Sequence, residues 1–176
     1  VFVGRATRGV EFFEHAEKTY ETVLRLGITT DTEDMTGTVL ETREVSVTRQ
    51  EFLEVLPRFR GQIQQVPPMY SALKVDGQKL CDLARKGKEV ERKARPVRIL
   101  EIEILDMQLP VVKMRVACSK GTYIRTLCAD IGEKLGCGGT MKSLVRSKVS
   151  EFILDEALTL GQLQKLKDEG RLLEAV

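Results

Sequence analysis

The sequence predicts an α+β fold built on a largely antiparallel sheet, and three observations carry that expectation. Several segments alternate polar and apolar residues with a period of two, the pattern of strands buried on one face. Residues 122–135 show instead the 3.6-residue apolar period of an amphipathic helix. The elements run strands, helix, loop, strands, helix, strand, helix, which is not a regular βαβ alternation. A chain of 176 residues suffices for one good core and not comfortably for two.

Residues 19–28, TYETVLRLGI, place Tyr20, Thr22, Leu24 and Leu26 on one face and read as a half-buried strand. DTEDMTG, residues 31–37, is dense in turn formers and reads as a loop. Residues 37–46 read as a second strand that pairs with the first in a hairpin. Thr48 with Glu51 three residues on is a capping-box pattern, which starts a short helix that Pro57 stops. Pro67-Pro68 forces extended backbone. Residues 77–86 predict a short helix with Leu80, Leu83 and Ala84 on one face, ended at Gly87.

Residues 97–107 and 111–118 both alternate, and Leu109-Pro110 between them predicts an antiparallel pair. The helix over 122–135 carries Ile124, Leu127, Cys128, Ile131 and Leu135 on one face. Thr122 is its candidate N-cap and Gly136 its stop, with Gly138-Gly139 extending the turn. Residues 148–154 suggest a further strand. Thr159 then caps a helix to about Lys167, ended near Gly170.

Charge is unevenly placed. Residues 85–98 hold seven basic side chains against two acidic, a local +5, so the rest carries −3 of a total of +2. Such a run faces a polyanion or forms a solvated loop. No apolar stretch approaches the roughly 20 residues that span a bilayer, and Val1-Phe2-Val3-Gly4-Arg5 lacks the features of a signal peptide. Without an initiator Met, the chain is expected to begin inside a longer product, and Leu172-Leu173-Glu174-Ala175-Val176 could be a truncation. The four cysteines, Cys81, Cys118, Cys128 and Cys137, form no C-x-x-C pair. That argues against zinc and for reduced thiols in a cytoplasmic protein. His15 is the only histidine and lies among Glu14 and Glu17, so it reads as a surface residue.

Arg125 sits in the first turn of the 122–135 helix, where the macrodipole disfavours a cation. Either an anion holds it there or it snorkels into water. Tyr20, at the start of the first strand, offers a ring for stacking on a base or for the core. VPPMYSALK, residues 66–74, presents Met69 and Tyr70 just before the basic run. This suits an RNA-contacting loop or a proline-rich connector. Gly136 to Thr140 lacks Walker A spacing and reads as a helix C-terminal turn.

Read together, longer strings are specific. K-T-Y-E followed by L-R-L-G-I-T-T-D-T-x-D-x-x-G resembles the TruB family of bacterial tRNA pseudouridine-55 synthases. So do V-P-P-M-Y-S-A-L-K-V-D-G-Q-K-L, A-R-K-G-x-E-V-x-R-x-A-R-P-V, C-S-K-G-T-Y-I-R-T-L and D-I-G-E-K-L-G-C-G-G. The resemblance covers nearly the whole chain in unbroken order. It implies a pseudouridine synthase fold, with residues 1–176 a partial catalytic domain and about 67–95 a tRNA-gripping loop. The implied reaction turns uridine 55 of the TΨC loop into pseudouridine without metal, nucleotide or redox cofactor. The implied partner is tRNA, with a monomeric protein in the cytoplasm.

By the same resemblance, Tyr20 stacks on the flipped base, Arg125 pairs with the catalytic aspartate, and Tyr123 and Leu144 line the pocket. Tyr70, Lys74, Arg92 and Arg95 are candidates for RNA contact. The family's nucleophile lies in a G-T-L-D-P-like motif upstream of Gly4-Arg5-Ala6-Thr7-Arg8, so a carboxylate for Arg125 is expected from outside this stretch. None of Asp31, Asp34, Asp76 and Asp130 matches it, and the stretch alone is expected to be inactive. A C-terminal PUA domain, common in the family, is also not found in these residues. Cys81 stands where the family usually has an aromatic. A non-catalytic tRNA-binding or tRNA-folding module is the alternative, and the guide-RNA-dependent relative of archaea and eukaryotes ranks third.

Overall fold

The computed structural model describes residues 4–171. The readings at Val1-Phe2-Val3 and at residues 172–176 lie outside them. A 3-10 turn, Gly4–Gly9, and the helix α1, Val10–Glu14, precede β1, Lys18–Leu26. After Gly27, at φ +85°, come β2, Ile28–Thr30, and β3, Val39–Thr42. The anticipated long second strand is only this short β3, and it pairs with β2 and not with β1. The reason is Gly27: a left-handed residue breaks the first strand and turns the chain off the main sheet.

Helix α2, Arg49–Val55, starts with the full reciprocal capping box of Thr48 and Glu51. Strand β4, Gly61–Gln65, was not legible, because its mostly polar residues lie at a sheet edge where only Gln65 is buried. Next come β5, Lys74–Val75, β6, Gln78–Lys79, and helix α3, Leu80–Arg85, which buries Leu80 and Leu83. Strands β7, Arg95–Gln108, and β8, Val111–Cys118, pair antiparallel as anticipated, and their hairpin closes at Leu109-Pro110.

Helix α4, Ile124–Lys134, leads through Gly136 into β9, Gly139–Val149, and then β10, Phe152–Ile153. The strand anticipated over 148–154 is therefore the end of β9 plus β10, split by a turn at Ser150. Most of β9 escaped the periodicity because its residues 142–146 are all exposed, so no polar–apolar alternation marks them. The last helix, α5, Leu160–Asp168, carries a capping box of Thr159 with Gln162.

The main sheet runs β10-β9-β1-β8-β7-β4, and each neighbouring pair is antiparallel. One parallel contact joins the 31–37 loop to β9, between Asp34 and Met141. The core lies on one sheet face. There Leu24, Leu26, Ile99, Ile102, Val112, Met114 and Val116 pack under Phe52 and Val55 of α2 and under Ile124, Leu127, Cys128 and Ile131 of α4. Each such side chain contributes roughly 1.5–3 kcal/mol on burial. All four cysteines are free, and burial pushes the Cys128 thiol up to about 12, so it is inert at neutral pH. Among the described residues, no helix is long and apolar enough to cross a membrane.

Candidate active site

Strands β1 and β9 lie side by side, with Tyr20 opposite Arg146, Thr22 opposite Leu144 and Leu24 opposite Met141. Helix α4 begins over this seam. Tyr20, Met141 and Leu144 from the strands and Thr122, Tyr123, Ile124 and Arg125 from the helix start line one open cavity of about 310 Å³. That volume suits a small organic group. Leu144 is 41% exposed, an apolar side chain on the cavity wall and not in the core.

The helix start is fixed from β4. Tyr123, not Thr122, is the N-cap residue, and its own side chain makes no capping bond. Gln65 supplies the cap. Its Oε1 accepts from Tyr123 N at 2.8 Å and its Nε2 donates to Tyr123 O at 3.0 Å. Thr122 turns away and donates its hydroxyl to Ser119 O at 2.9 Å. With the Thr122 hydroxyl turned away, Gln65 of β4 satisfies the first of the orphan amides, that of Tyr123.

Arg125 is held as a cation should be at this position. Its Nη1 lies 3.4 Å from Asp34 Oδ2, and the two side chains are only 20% and 17% exposed. Its Nη2 donates to the Tyr70 carbonyl. Its guanidinium carbon lies 5.9 Å from the centre of the Tyr123 ring, within cation–π range. A carboxylate inside the stretch, Asp34, thus engages Arg125 in addition to the one expected from upstream of it. The 31–37 loop folds back on β9: Met141 N donates to Glu33 O at 3.0 Å, and Met35 N donates to Met141 O at 2.9 Å. Those contacts carry Asp34 to Arg125.

Asp34 itself is pre-set. Its Oδ1 accepts from Thr36 N at 2.9 Å and from the hydroxyls of Thr32 and Thr36. Burial raises its pKa, but these bonds and the Arg125 charge outweigh burial and leave the carboxyl below its ordinary value. Two further acids lie nearby with the opposite tendency. Glu33, at φ +62°, accepts from the Thr126 hydroxyl, yet burial outweighs that bond and the Arg125 charge and pushes its carboxyl up. Burial pushes Asp130 up to about 6. Asp130 does not line the cavity.

Of the residues anticipated from sequence, Tyr20, Tyr123, Arg125 and Leu144 meet in this cavity. Tyr70 joins through its backbone carbonyl. Lys74 lies exposed on the β5–β6 hairpin. Arg92 turns inward, donating to Pro67 O at 3.2 Å and pairing with Glu89 at 3.2 Å. Arg95 lines a separate cavity of about 100 Å³ with Lys120, Gln65 and Tyr123 among others. Sequence reasoning weighed Asp34 only as a candidate nucleophile, and passed over Gln65, Met141 and Arg146. Arg146 stood within the S-L-V-R-S stretch that carries Leu144. His15 is exposed, with Nε2 3.2 Å from Lys120 Nζ. Among the described residues, no group of His, Cys, Asp and Glu side chains is placed to hold a metal ion.

The profile of the TruB family pseudouridylate synthase (N terminal domain) matches residues 1–124. That of the tRNA pseudouridylate synthase B C-terminal domain matches residues 125–176. The two matches meet inside α4, at a point the sheet bridges, since β9 from the second pairs with β1 from the first. The tRNA pseudouridine synthase B of Pseudomonas paraeruginosa is 50% identical over 167 residues, 95% of this chain and 55% of that protein. The tRNA pseudouridine synthase B of Clostridium kluyveri is 48% identical over 163 residues, 93% and 56% of the two chains. The chain therefore spans about half the length of the curated relatives it matches. A chain in the crystal structure of a Cbf5-Nop10-Gar1 complex matches with a TM-score of 0.73 at 26% identity, over 98% of this chain and 45% of that one.

Proposed function

Because the chain belongs to the TruB family of pseudouridylate synthases, we propose that the protein it forms part of converts uridine 55 in the TΨC loop of tRNA into pseudouridine. The observation that carries this reading is the convergence of Tyr20, Tyr123, Arg125 and Leu144 on one cavity. Identity of about half with bacterial enzymes named for tRNA, against 26% with the Cbf5 chain, supports a tRNA substrate over a guide-RNA particle.

The target uridine is flipped out of the folded loop into the cavity. The Tyr20 ring stacks on one face of the uracil, a contact worth roughly 1–3 kcal/mol, and Leu144 covers it from β9. The C1′–N1 bond then breaks, the uracil turns between these two walls, and C1′ joins C5. N1 gains a proton as C5 loses one, so atoms balance without oxidant or reductant. Apolar walls suit a base that must rotate while held, since they add no directional bonds to break.

Arg125 is the electrostatic centre. A guanidinium has five donors. Asp34 and the Tyr70 carbonyl engage Nη1 and Nη2, and the same group can also orient the nucleophilic aspartate of the family's G-T-L-D-P-like motif. The protein acts as a monomer in the cytoplasm, with the TΨC stem-loop as its partner and no metal or other cofactor. Incubation of the intact protein with a TΨC stem-loop transcript, followed by chemical mapping of pseudouridine, tests the reading. Conversion at the loop uridine is expected, and its absence would refute the assignment.

A further inference from the structure

The cavity has a chemical direction. Along β9 its wall runs from Met141, which bridges Asp34, to Leu144, and Arg146 lies two residues further along the strand. From β1 it takes Tyr20, opposite Arg146, and Lys18 lies two residues before Tyr20 on that strand. The Arg125–Asp34 pair marks the first end. Beyond the second end three cations gather: Lys18, Arg146, and Lys120, which lines the smaller separate cavity. Lys18 and Tyr20 stand on the same face of β1, as strand alternation requires. Arg146 interacts with the Tyr20 hydroxyl from across the register. Lys120 lies two residues beyond Cys118, the β8 partner of Lys18. Burial and the positive charges of Arg146 and Lys120 hold the Lys18 ammonium below its ordinary value.

The Glu14 carboxylate attracts Lys18, but more weakly than the neighbouring cations repel it. Among the described residues, none of the three takes part in a salt bridge. The Lys18 ammonium donates to Ala16 O at 2.8 Å, and that of Lys120 lies 3.2 Å from the His15 ring. The opposite face of the same strands is treated differently. There Glu21 pairs with Lys113 at 3.1 Å and Arg115 at 2.9 Å, and Arg115 also pairs with Glu103 at 2.8 Å. Three like charges left unpaired beside a base-sized cavity repel one another unless an anion arrives from outside.

We propose that Lys18, Lys120 and Arg146 form a phosphate-binding rim, which grips a backbone phosphate adjoining the flipped uridine. The nucleotide then enters in one sense only, base toward Arg125–Asp34 and phosphate toward Arg146. The rim turns the general affinity of a basic protein for RNA into a register, because a phosphate anchored at one end fixes which atoms of the uracil reach the other. This inference rests on the uridine isomerisation proposed above.

Binding of the intact protein to a TΨC stem-loop transcript, measured across a salt series, tests it. Arg146→Ala should weaken binding roughly tenfold at low salt and flatten the slope of log affinity against log salt by about one. Arg146→Lys should restore most of the slope, which a merely structural role would not predict. A transcript with a neutral methylphosphonate at one of the two linkages flanking the target uridine should lose the same affinity on the wild-type protein and nothing further on Arg146→Ala. Lys18→Ala gives the same comparison from the other strand should Arg146→Ala not fold. Unchanged salt slopes, or losses that add fully between protein and RNA changes, would overturn the rim while wild-type conversion leaves the isomerase reading standing. A wild-type protein that converts no uridine would remove both.

Discussion

Asp34 and Arg125 lie 91 positions apart in the sequence and 3.4 Å apart at Oδ2 and Nη1. The pairing explains how a cation is tolerated in the first turn of α4, where the helix dipole opposes it. It also makes the loop of residues 31–37 part of the site and not a surface connector. Three threonine donors fix the far oxygen of Asp34, so the carboxylate is aimed before any substrate arrives.

Asp34→Asn keeps the shape and removes the charge. Turnover on a TΨC stem-loop should fall by about 100-fold, the size expected for a preorganised electrostatic contact, with RNA affinity little changed. Single-turnover kinetics and filter binding measure the two separately. The carboxyl's folded pKa lies below its ordinary 3.8. Its stabilising contribution is therefore full above that value and lost as pH falls through the folded value. Thermal melts of Asp34→Asn and wild type should differ at pH 7 and converge at strongly acid pH.

Asp130→Asn should act in the opposite sense. Burial lifts this carboxyl to about 6, so ionisation above that pH costs the folded state. Stability from this group falls as pH rises from 3.8 through about 6. The substitution should raise Tm at pH 8 and leave it unchanged near pH 4. A loss of Tm at pH 8 would show that the carboxylate has a partner that it needs.

Gln65→Ala removes both bonds to Tyr123 from a residue only 2% exposed. Leaving the Tyr123 amide unpaired should cost about 1–3 kcal/mol, while its carbonyl keeps the bond from Leu127 N. A chain of this size should lose roughly 2–4 °C of Tm per kcal/mol. Because Tyr123 lines the cavity, turnover should fall as well, measurable at a temperature where the variant remains folded.

Gly132→Ala tests the contact between α4 and the start of β9. An added Cβ would stand 2.2 Å from Gly139 N and 2.3 Å from Gly138 C. Backbone cannot yield as a flexible side chain does, so the loss should reach about 4 kcal/mol or more. Calorimetry should show a collapse of Tm, and a melt matching wild type would contradict the packing described.

Local signals were the legible part of the fold. The capping box at Thr48 and the cap at Thr159 were visible because each is closed within three residues. The α4 stripe of Ile124, Leu127, Cys128 and Ile131 was visible because one helix face is fully buried. Strands β4 and most of β9 were not, since an edge position and an exposed middle erase alternation. At the site, Tyr20, Tyr123, Arg125 and Leu144 came from the resemblance of long strings, and the cavity gathers all four. Asp34, Gln65 and Arg146 depend on contacts between segments far apart in sequence, and no periodicity or spacing announces such contacts.

The most direct measurement follows the hydrogen at C5 of the target uridine. When C1′ joins C5, that hydrogen leaves to solvent, so tritium placed there reports the new carbon–carbon bond. The intact protein should release it from a TΨC stem-loop, and Arg125→Ala should release essentially none while binding the RNA within about threefold of wild type, the pattern of an interaction made only in the transition state. Release by Arg125→Ala at near the wild-type rate would contradict the central role given to this guanidinium.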